Sequence, residues 1–296
     1  MSGGGVPALF DRALLRRRLE RAGRGGDGPD FLRRRVAEDL EDRLAATLHG
    51  FPLALDFATQ GPGFAAALAR RRGEGRTVRA GLRPGPGVDL VADPETLPLK
   101  GGAFDLIVSG LALQLVNDLP GALTQIRAAL KPDGLFLACV LGGDTLHELR
   151  AAFAEAEAET AGGSSPHVAP FADVRAFGGL LQRAGFALPV TDSDRVTVRY
   201  PHPLALFADL RAWGAANPLT ERARRPLARA TLARLVEIYA ARFADADGRV
   251  RATFEIVWLS GWAPHPDQPK PLKPGSATAR LADALSQVRA ANMTEN

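Results

Sequence analysis

At 296 residues with 46% hydrophobic and 24% charged side chains, the chain has a globular composition with room for one large or two ordinary domains, which excludes wholesale disorder, a coiled-coil rod and a collagen-like repeat. One cysteine, Cys139, excludes an internal disulfide and any cysteine-rich zinc or iron-sulfur site. It fits a reducing compartment, so a cytoplasmic setting is expected. The net charge is +4, and the cations are almost all arginine, with Lys100, Lys131, Lys270 and Lys273 as the lysines. Such Arg, Ala and Gly enrichment points to a GC-rich bacterial genome rather than to nucleic-acid binding, while still permitting an acidic partner or an anionic membrane surface.

No run reaches the roughly 20 apolar residues of a membrane span, and the start lacks the apolar core of a signal peptide. Leu9, Phe10, Leu14, Leu15 and Leu19 recur at helical spacing among Arg12, Arg16, Arg17, Arg18 and Arg21, an amphipathic basic helix. Asp11 and Glu20 interrupt the acid-poor pattern of a transit peptide. This helix either packs on the main domain or makes a peripheral membrane contact through residues 9–21, at the inner membrane of a bacterium. A second helix is expected over 30–49.

From 51 to 141 short apolar runs alternate with helical stretches, the pattern of a parallel sheet covered by helices. Strands are expected over 53–56, 77–82, 88–92, 104–109 and 135–141. Helices are expected over 63–72 and 119–130, the latter stopped by Lys131-Pro132-Asp133-Gly134. Further helices are expected over 144–160 and 173–184, a Gly-Ser-Pro loop over 162–170, and strands over 196–200 and 252–262. The helical text of 203–246 lies between those last two strands. A proline-rich linker over 264–274 and a terminal helix over 277–291 close the chain.

The turn after the first strand ends in Asp56 and continues Phe57-Ala58-Thr59-Gln60-Gly61-Pro62-Gly63. Such a turn points backbone N–H groups and a helix start at the carboxyl end of the sheet, where open α/β folds bind nucleotides. It serves equally as a tight strand-to-helix connection with Pro62 starting the helix. Asp93, after the third strand, sits where an acid meets an adenine amino group, or else initiates the turn before Pro94. The acid expected at the end of the second strand to accept from ribose hydroxyls is absent. Asp144 either caps the following helix or lines a pocket. His167 is a candidate for proton transfer, with no partner evident nearby in the sequence. Trp213, Trp258 and Trp262 read as packing residues, and the histidines form no metal-ligand spacing.

Phe104-Asp105-Leu106-Ile107-Val108-Ser109, then Leu115-Val116-Asn117-Asp118-Leu119-Pro120 and Leu130-Lys131-Pro132-Asp133-Gly134, resemble the class I S-adenosylmethionine-dependent methyltransferases. Gly142-Gly143-Asp144-Thr145-Leu146-His147-Glu148-Leu149-Arg150, Ser165-Pro166-His167-Val168-Ala169-Pro170-Phe171, Gly275-Ser276-Ala277-Thr278 and the opening Leu9-Phe10-Asp11-Arg12 resemble one branch of them, that of the mitochondrial complex I assembly factor 5 and its alphaproteobacterial relatives. The chain is also similar to the malonyl-carrier-protein methyltransferase of biotin synthesis.

The resemblance implies a doubly wound, seven-stranded, Rossmann-like α/β sheet. It implies a basic helical extension over 1–50, a methyltransferase-type core over 51–202, a helical insert over 203–248 near the cofactor pocket, the last strand over 249–264, and a linker with a terminal helix over 265–296. It implies S-adenosylmethionine framed by Asp56, Ala58, Gly61, Gly63, Asp93, Pro94 and Ser109, with the Asp144 and His167 loops toward the acceptor. The activity implied is methyl transfer or, for the mitochondrial branch, arginine hydroxylation of a complex I subunit, hence a protein substrate or a respiratory-complex subunit as partner.

Departures are visible. The glycine positions of D-x-G-x-G-x-G hold Ala58, Gln60 and Pro62; Gly81 stands where relatives carry an acid; Gln114 and Leu115 stand where they carry a His-Trp pair. A second expectation is therefore a non-catalytic assembly protein that keeps the fold. Nothing points to DNA, and RNA binding finds no aromatic-basic motif.

Overall fold

The computed structural model describes residues 8–24, 30–71 and 75–268. Met1–Pro264 forms one compact unit and His265–Asn296 a second. The expected terminal helix over 277–291 and the Gly275-Ser276-Ala277-Thr278 motif lie outside the described residues.

The first unit begins with helices α1 (Arg12–Arg24) and α2 (Phe31–Ala45), followed by β1 (Leu53–Phe57), α3 (Gly63–Arg71), β2 (Arg76–Gly81), β3 (Leu90–Val91) and β4 (Phe104–Gly110). A short 3-10 turn (Leu113–Leu115) leads to α4 (Leu119–Ala129), β5 (Leu130–Leu141), α5 (His147–Thr160), α6 (Val174–Arg183), β6 (Ala187–Tyr200), α7 (Pro203–Ala212), α8 (Arg229–Phe243) and β7 (Val250–Trp262). The seven strands form one sheet in the order β3-β2-β1-β4-β5-β7-β6. Strands β1 to β5 are parallel, and β7 runs antiparallel between β5 and β6. The doubly wound seven-stranded expectation holds.

Both faces of the sheet are covered, as a parallel sheet requires. The two-residue period of a strand sends Ala54, Leu106, Val108, Leu137 and Cys139 to the face carrying α2, α3, α5 and α8, and Leu55, Ile107, Phe136, Ala138 and Val140 to the face carrying α4 and α6. Cys139 is fully buried there, and burial pushes its thiol up to about 12, which removes it as a nucleophile.

Several boundaries differ from expectation. The third strand shortens to Leu90–Val91. The Lys131-Pro132-Asp133-Gly134 turn becomes an irregularity inside β5, because pairing passes from Phe104↔Leu130 directly to Leu106↔Leu135. Strand β6 starts nine residues before the expected 196. Its first half, with Thr191, Asp192, Ser193 and Asp194, is polar because it lies at the sheet edge, where no second layer demands an apolar face. Arg43 and Arg35 of α2 pair with Asp192 and Asp194.

Helix α1 is part of this unit. Its Leu15 and Leu19 are buried, as is Phe10 ahead of it. Asn117 accepts from Phe10 N at 2.8 Å and donates to Phe10 O at 3.2 Å, and Leu9 O accepts from Thr220 N at 2.9 Å. Of the apolar stripe, Phe10, Leu15 and Leu19 pack inward, whereas Leu9 is exposed.

Candidate functional site

The carboxyl ends of β1 to β4 meet under α1, and there the structure has two adjoining cavities. The larger, about 380 Å³, is walled by Leu82, Arg83, Asp93, Ala112 and Leu115 from the segments that follow the strands and by Arg12, Leu15 and Leu19 of α1. The smaller, about 80 Å³, is walled by Arg33, Thr59, Gly63, Gln114 and Trp213. Leu19, Gln60, Leu111 and Leu115 belong to both walls. The larger volume lies at the lower end of what small-molecule sites require, and its position is the one where open α/β sheets bind ligands.

The loop after β1 forms the inner wall. Asp56 is 2% exposed, and its Oδ2 lies 3.2 Å from Arg79 Nε. Its Oδ1 is buried without a hydrogen bond. Burial pushes the carboxyl up to about 6, against the opposing pull of Thr59 and Arg79. Arg79 also donates to the carbonyls of Gly61 and Gly87, so one guanidinium ties Asp56, the glycine loop and the turn after β2 together. Ala58, at a glycine position of the family pattern, adopts φ 61° with its methyl buried, and Gly61 adopts φ 79°. The backbone keeps the left-handed turn that glycine favours, at a strain typically about 1 kcal/mol for alanine.

Gly81 explains the missing acid. A Cβ there would lie 3.0 Å from Arg83 O and 3.1 Å from Val88 Cγ1, because the chain turns tightly back after β2. Gly81→Glu is expected to cost about 1–3 kcal/mol by overpacking rather than to improve nucleotide binding. Chemical denaturation of the two proteins measures this; unchanged stability would show that the turn yields.

Asp93 initiates the turn before Pro94 and lies at the larger cavity. Its Oδ1 accepts from Glu95 N at 3.0 Å, making the turn, and its side chain lines the larger cavity with Pro94. Arg12 pairs with Asp93 and, at 2.8 Å, with Glu95. Burial raises the Asp93 pKa, but Arg12 and the Glu95 N–H outweigh it and hold the carboxyl below its ordinary value. Glu95 in turn accepts from Asn117 N at 3.0 Å, so the rim under α1 is a connected polar network.

The remaining sequence candidates are placed elsewhere. Gly63 lines the smaller cavity, while Asp56, Ala58 and Gly61 stand behind the cavity wall. Ser109 is fully buried with its hydroxyl unpartnered, and it lines neither cavity; β4 runs one residue beyond the expected end, so the wall begins at Gly110 and Leu111. Asp144 does not cap α5, whose N-cap is Leu146. Its side chain pairs with Arg195 of β6, and its N–H donates to Glu255 Oε2 at 2.9 Å, so this loop is fastened to β7. His167 has the partner its sequence neighbourhood did not show: Nε2 lies 2.7 Å from Glu157 Oε1 and 3.1 Å from Ser165 Oγ, and the ring stacks on Phe153 at 3.8 Å. Serine and glutamate share one ring nitrogen, so this is a structural clasp and not a nucleophile-base-acid relay. Neither Asp144 nor His167 lines either of these two cavities.

Composition did not single out Leu82, Arg83, Ala112, Val116 or Arg33, which complete the walls. Apolar wall residues carry no pattern distinct from core residues. Among the described residues there is no cluster of metal-ligating side chains and no helix long and apolar enough to cross a membrane.

The comparisons with known proteins agree with this geometry. Residues 60–138 match the family described as "Methyltransferase domain". The arginine-hydroxylase NDUFAF5, mitochondrial, of Danio rerio is 38% identical over 291 residues, covering 95% of this chain and 90% of that one. A malonyl-[acyl-carrier protein] O-methyltransferase of Laribacter hongkongensis is 33% identical over 277 residues, covering 86% and 90%. The YcgJ protein of Bacillus subtilis superposes with a TM-score of 0.52 at 12% identity, covering 78% of this chain and 99% of that one, a likeness of fold. With β7 antiparallel between β5 and β6, a cleft over the carboxyl ends of the parallel strands and a relative matched along nearly its whole length, the chain belongs to the NDUFAF5 family of methyltransferase-fold proteins.

Proposed function

We propose that the cleft under α1 binds S-adenosylmethionine and that the protein modifies a side chain of another protein. The observation that carries this is the larger cavity. Gln60 stands at its edge without closing it, Pro62 does not line it, and apolar Leu82, Ala112 and Leu115 offer faces for an adenine ring while Asp93 offers an acceptor. When bound, the cofactor supplies an electrophilic methyl group. The chain's own residues would position it: Asp93 and Pro94 at the nucleoside end, Thr59 and Gly63 toward the smaller cavity, and α1 as the wall that excludes water. Orientation of this kind is what methyl transfer from a sulfonium most needs.

The acceptor we propose is a protein arginine, on the strength of the name that the relatives at 38% identity carry, in a subunit of a respiratory complex, with the protein in the bacterial cytoplasm. Mass spectrometry of the acceptor separates a methyl gain from an oxygen gain. Equilibrium dialysis with labelled S-adenosylmethionine tests the cofactor. Binding is expected below about 1 mM, and Ala112→Trp, which fills the larger cavity, is expected to weaken it at least about tenfold. No binding by the unaltered protein at that concentration overturns the reading.

A second reading, an assembly protein without turnover, is favoured by one specific observation: Arg79 occupies the carbonyl of Gly61 and the charge of Asp56, and crowding at Gly81 leaves no place for a ribose acceptor. It requires that cellular function survive Ala112→Trp.

A further inference from the structure

The larger cavity has three carboxylates on its wall, and one of them is unspent. Asp93 and Glu95 both pair with Arg12. Glu20 of α1 lines the same cavity and is half-buried. Among the described residues it has no hydrogen-bond or ion-pair partner, although Arg16 and Arg83 line the cavity with it. A carboxylate partly withdrawn from water beside Leu15, Leu19 and Leu82 lacks the donors that offset its desolvation, so its place calls for a ligand that donates.

Helix α1 carries this carboxylate to a corner that β2 cannot supply. Arg16, Leu19, Glu20 and Gly23 follow the i, i+3, i+4, i+7 spacing of one helix face. The first three line the cavity, and Gly23 lies so close to the loop after β2 that a Cβ on it would collide with the guanidinium of Arg83. The last turn of α1 therefore meets Arg83, two residues beyond Gly81. In open α/β nucleotide sites the acid that accepts from the ribose projects from the end of the second strand. Here Gly81 holds that position, crowded by Val88 and by the carbonyl of Arg83, and a free carboxylate enters from the helix that faces it.

We propose that Glu20 is the ribose acceptor of this site, its two carboxylate oxygens taking the 2′- and 3′-hydroxyls of the nucleoside in place of the acid missing from β2. This rests on the cofactor reading above and moves the ribose contact from the sheet to a helix that precedes it in the chain. Asp93 and Glu95 do not compete for the role, because Arg12 holds both.

Calorimetric titration with S-adenosylhomocysteine and with its 2′,3′-dideoxy analogue tests the assignment. The unaltered protein is expected to prefer the first by at least about tenfold. Glu20→Ala is expected to lose about 10- to 100-fold for S-adenosylhomocysteine, the worth of a charged hydrogen bond. Its affinity for the dideoxy analogue is expected to stay within about threefold of the unaltered protein's, which also shows that the variant is folded. Glu20→Gln, which keeps one acceptor oxygen, is expected to recover part of the loss. The assignment is overturned if the unaltered protein binds both ligands equally, or if Glu20→Ala loses neither, loses both alike, or still tells them apart as well as the unaltered protein does. If the unaltered protein binds neither ligand, the cofactor reading falls, and this inference falls with it.

Discussion

Asp56→Asn is expected to stabilise the protein at pH 7 by up to about 3 kcal/mol, an unusual direction for a change at a buried charged residue. The carboxyl is held at about 6 in the fold against an ordinary value of 3.8. Between those values the folded state binds the proton more tightly than the unfolded chain, so stability falls as pH rises from about 4 to about 6 and the loss is complete at neutral pH. A difference of about two pKa values at 1.36 kcal/mol each gives the magnitude. Asparagine keeps the shape without the charge, and the contributions of Arg79 and Thr59 are already contained in the value of about 6, so they are not counted again. Thermal unfolding of both proteins at pH 4 and pH 7 is the measurement. Equal stability is expected at pH 4 and a higher midpoint for the variant at pH 7, roughly 2–4 °C for each kcal/mol in a chain of this size. The same substitution is expected to weaken ligand binding, because the Asp56 charge orients Arg79 against the Gly61 carbonyl. Opposite signs for stability and binding are the mark of a charge retained for a site. A variant less stable than the parent at pH 7 would show that Arg79 outweighs burial.

Phe10→Ala carries the second large effect. Phe10 is 4% exposed and packs with Ala169, Leu219, Leu115 and Phe171, joining the start of α1 to both the cavity wall and the insert. Truncating a buried phenylalanine costs about 3–5 kcal/mol. Here the loss is expected locally, because α1 contributes no strand to the sheet and can open while the sheet stays folded. Hydrogen exchange in 12–24 is expected to accelerate by two orders of magnitude or more, at 1.4 kcal/mol for each factor of ten, with β4 and β5 unchanged. Since Leu15 and Leu19 wall the larger cavity, nucleotide binding is expected to fall in parallel. Unchanged exchange in α1 would mean that Leu15, Leu19 and the Arg12 pairs hold it without Phe10. Either way, truncation before α2 removes a cavity wall.

The fold was legible in the residues because strand and helix periodicities survive in a sequence whose core is formed by alternation. Leu55, Ile107 and Phe136 bury on one face, and Ala54, Leu106 and Leu137 on the other. The boundaries that failed did so for physical reasons. The polar first half of β6 was not expected as strand because it lies at the sheet edge, where one margin is exposed. Asp144 looked like a helix cap because its residue type favours that role, whereas Leu146 takes the position and Asp144 is pulled to Arg195.

The candidate site was half legible. Asp93, Gly63 and the turn after β1 carry residue types tied to a chemistry, and the sequence located them at strand ends. Leu82, Ala112 and Leu115 carry none, since an apolar wall and an apolar core are written in the same residues. Helix α1 shows the division most plainly: its amphipathic stripe was evident, but the stripe fits a membrane surface as well as a cavity. The contacts of Phe10 with Asn117 and Leu219 show its packing on the domain.

What the sequence by itself determined is the alternating α/β order, the absence of a disulfide framework and the loss of the ribose acid at Gly81. Each of these depends on residue identity or on short-range period. The tertiary structure alone decided that Gly81 is crowded by Val88, that Arg12 is spent on Asp93 and Glu95, and that His167 is clasped by Glu157. Those facts join residues up to 83 positions apart, and the local pattern of a chain carries no information about which distant charges will share a cavity.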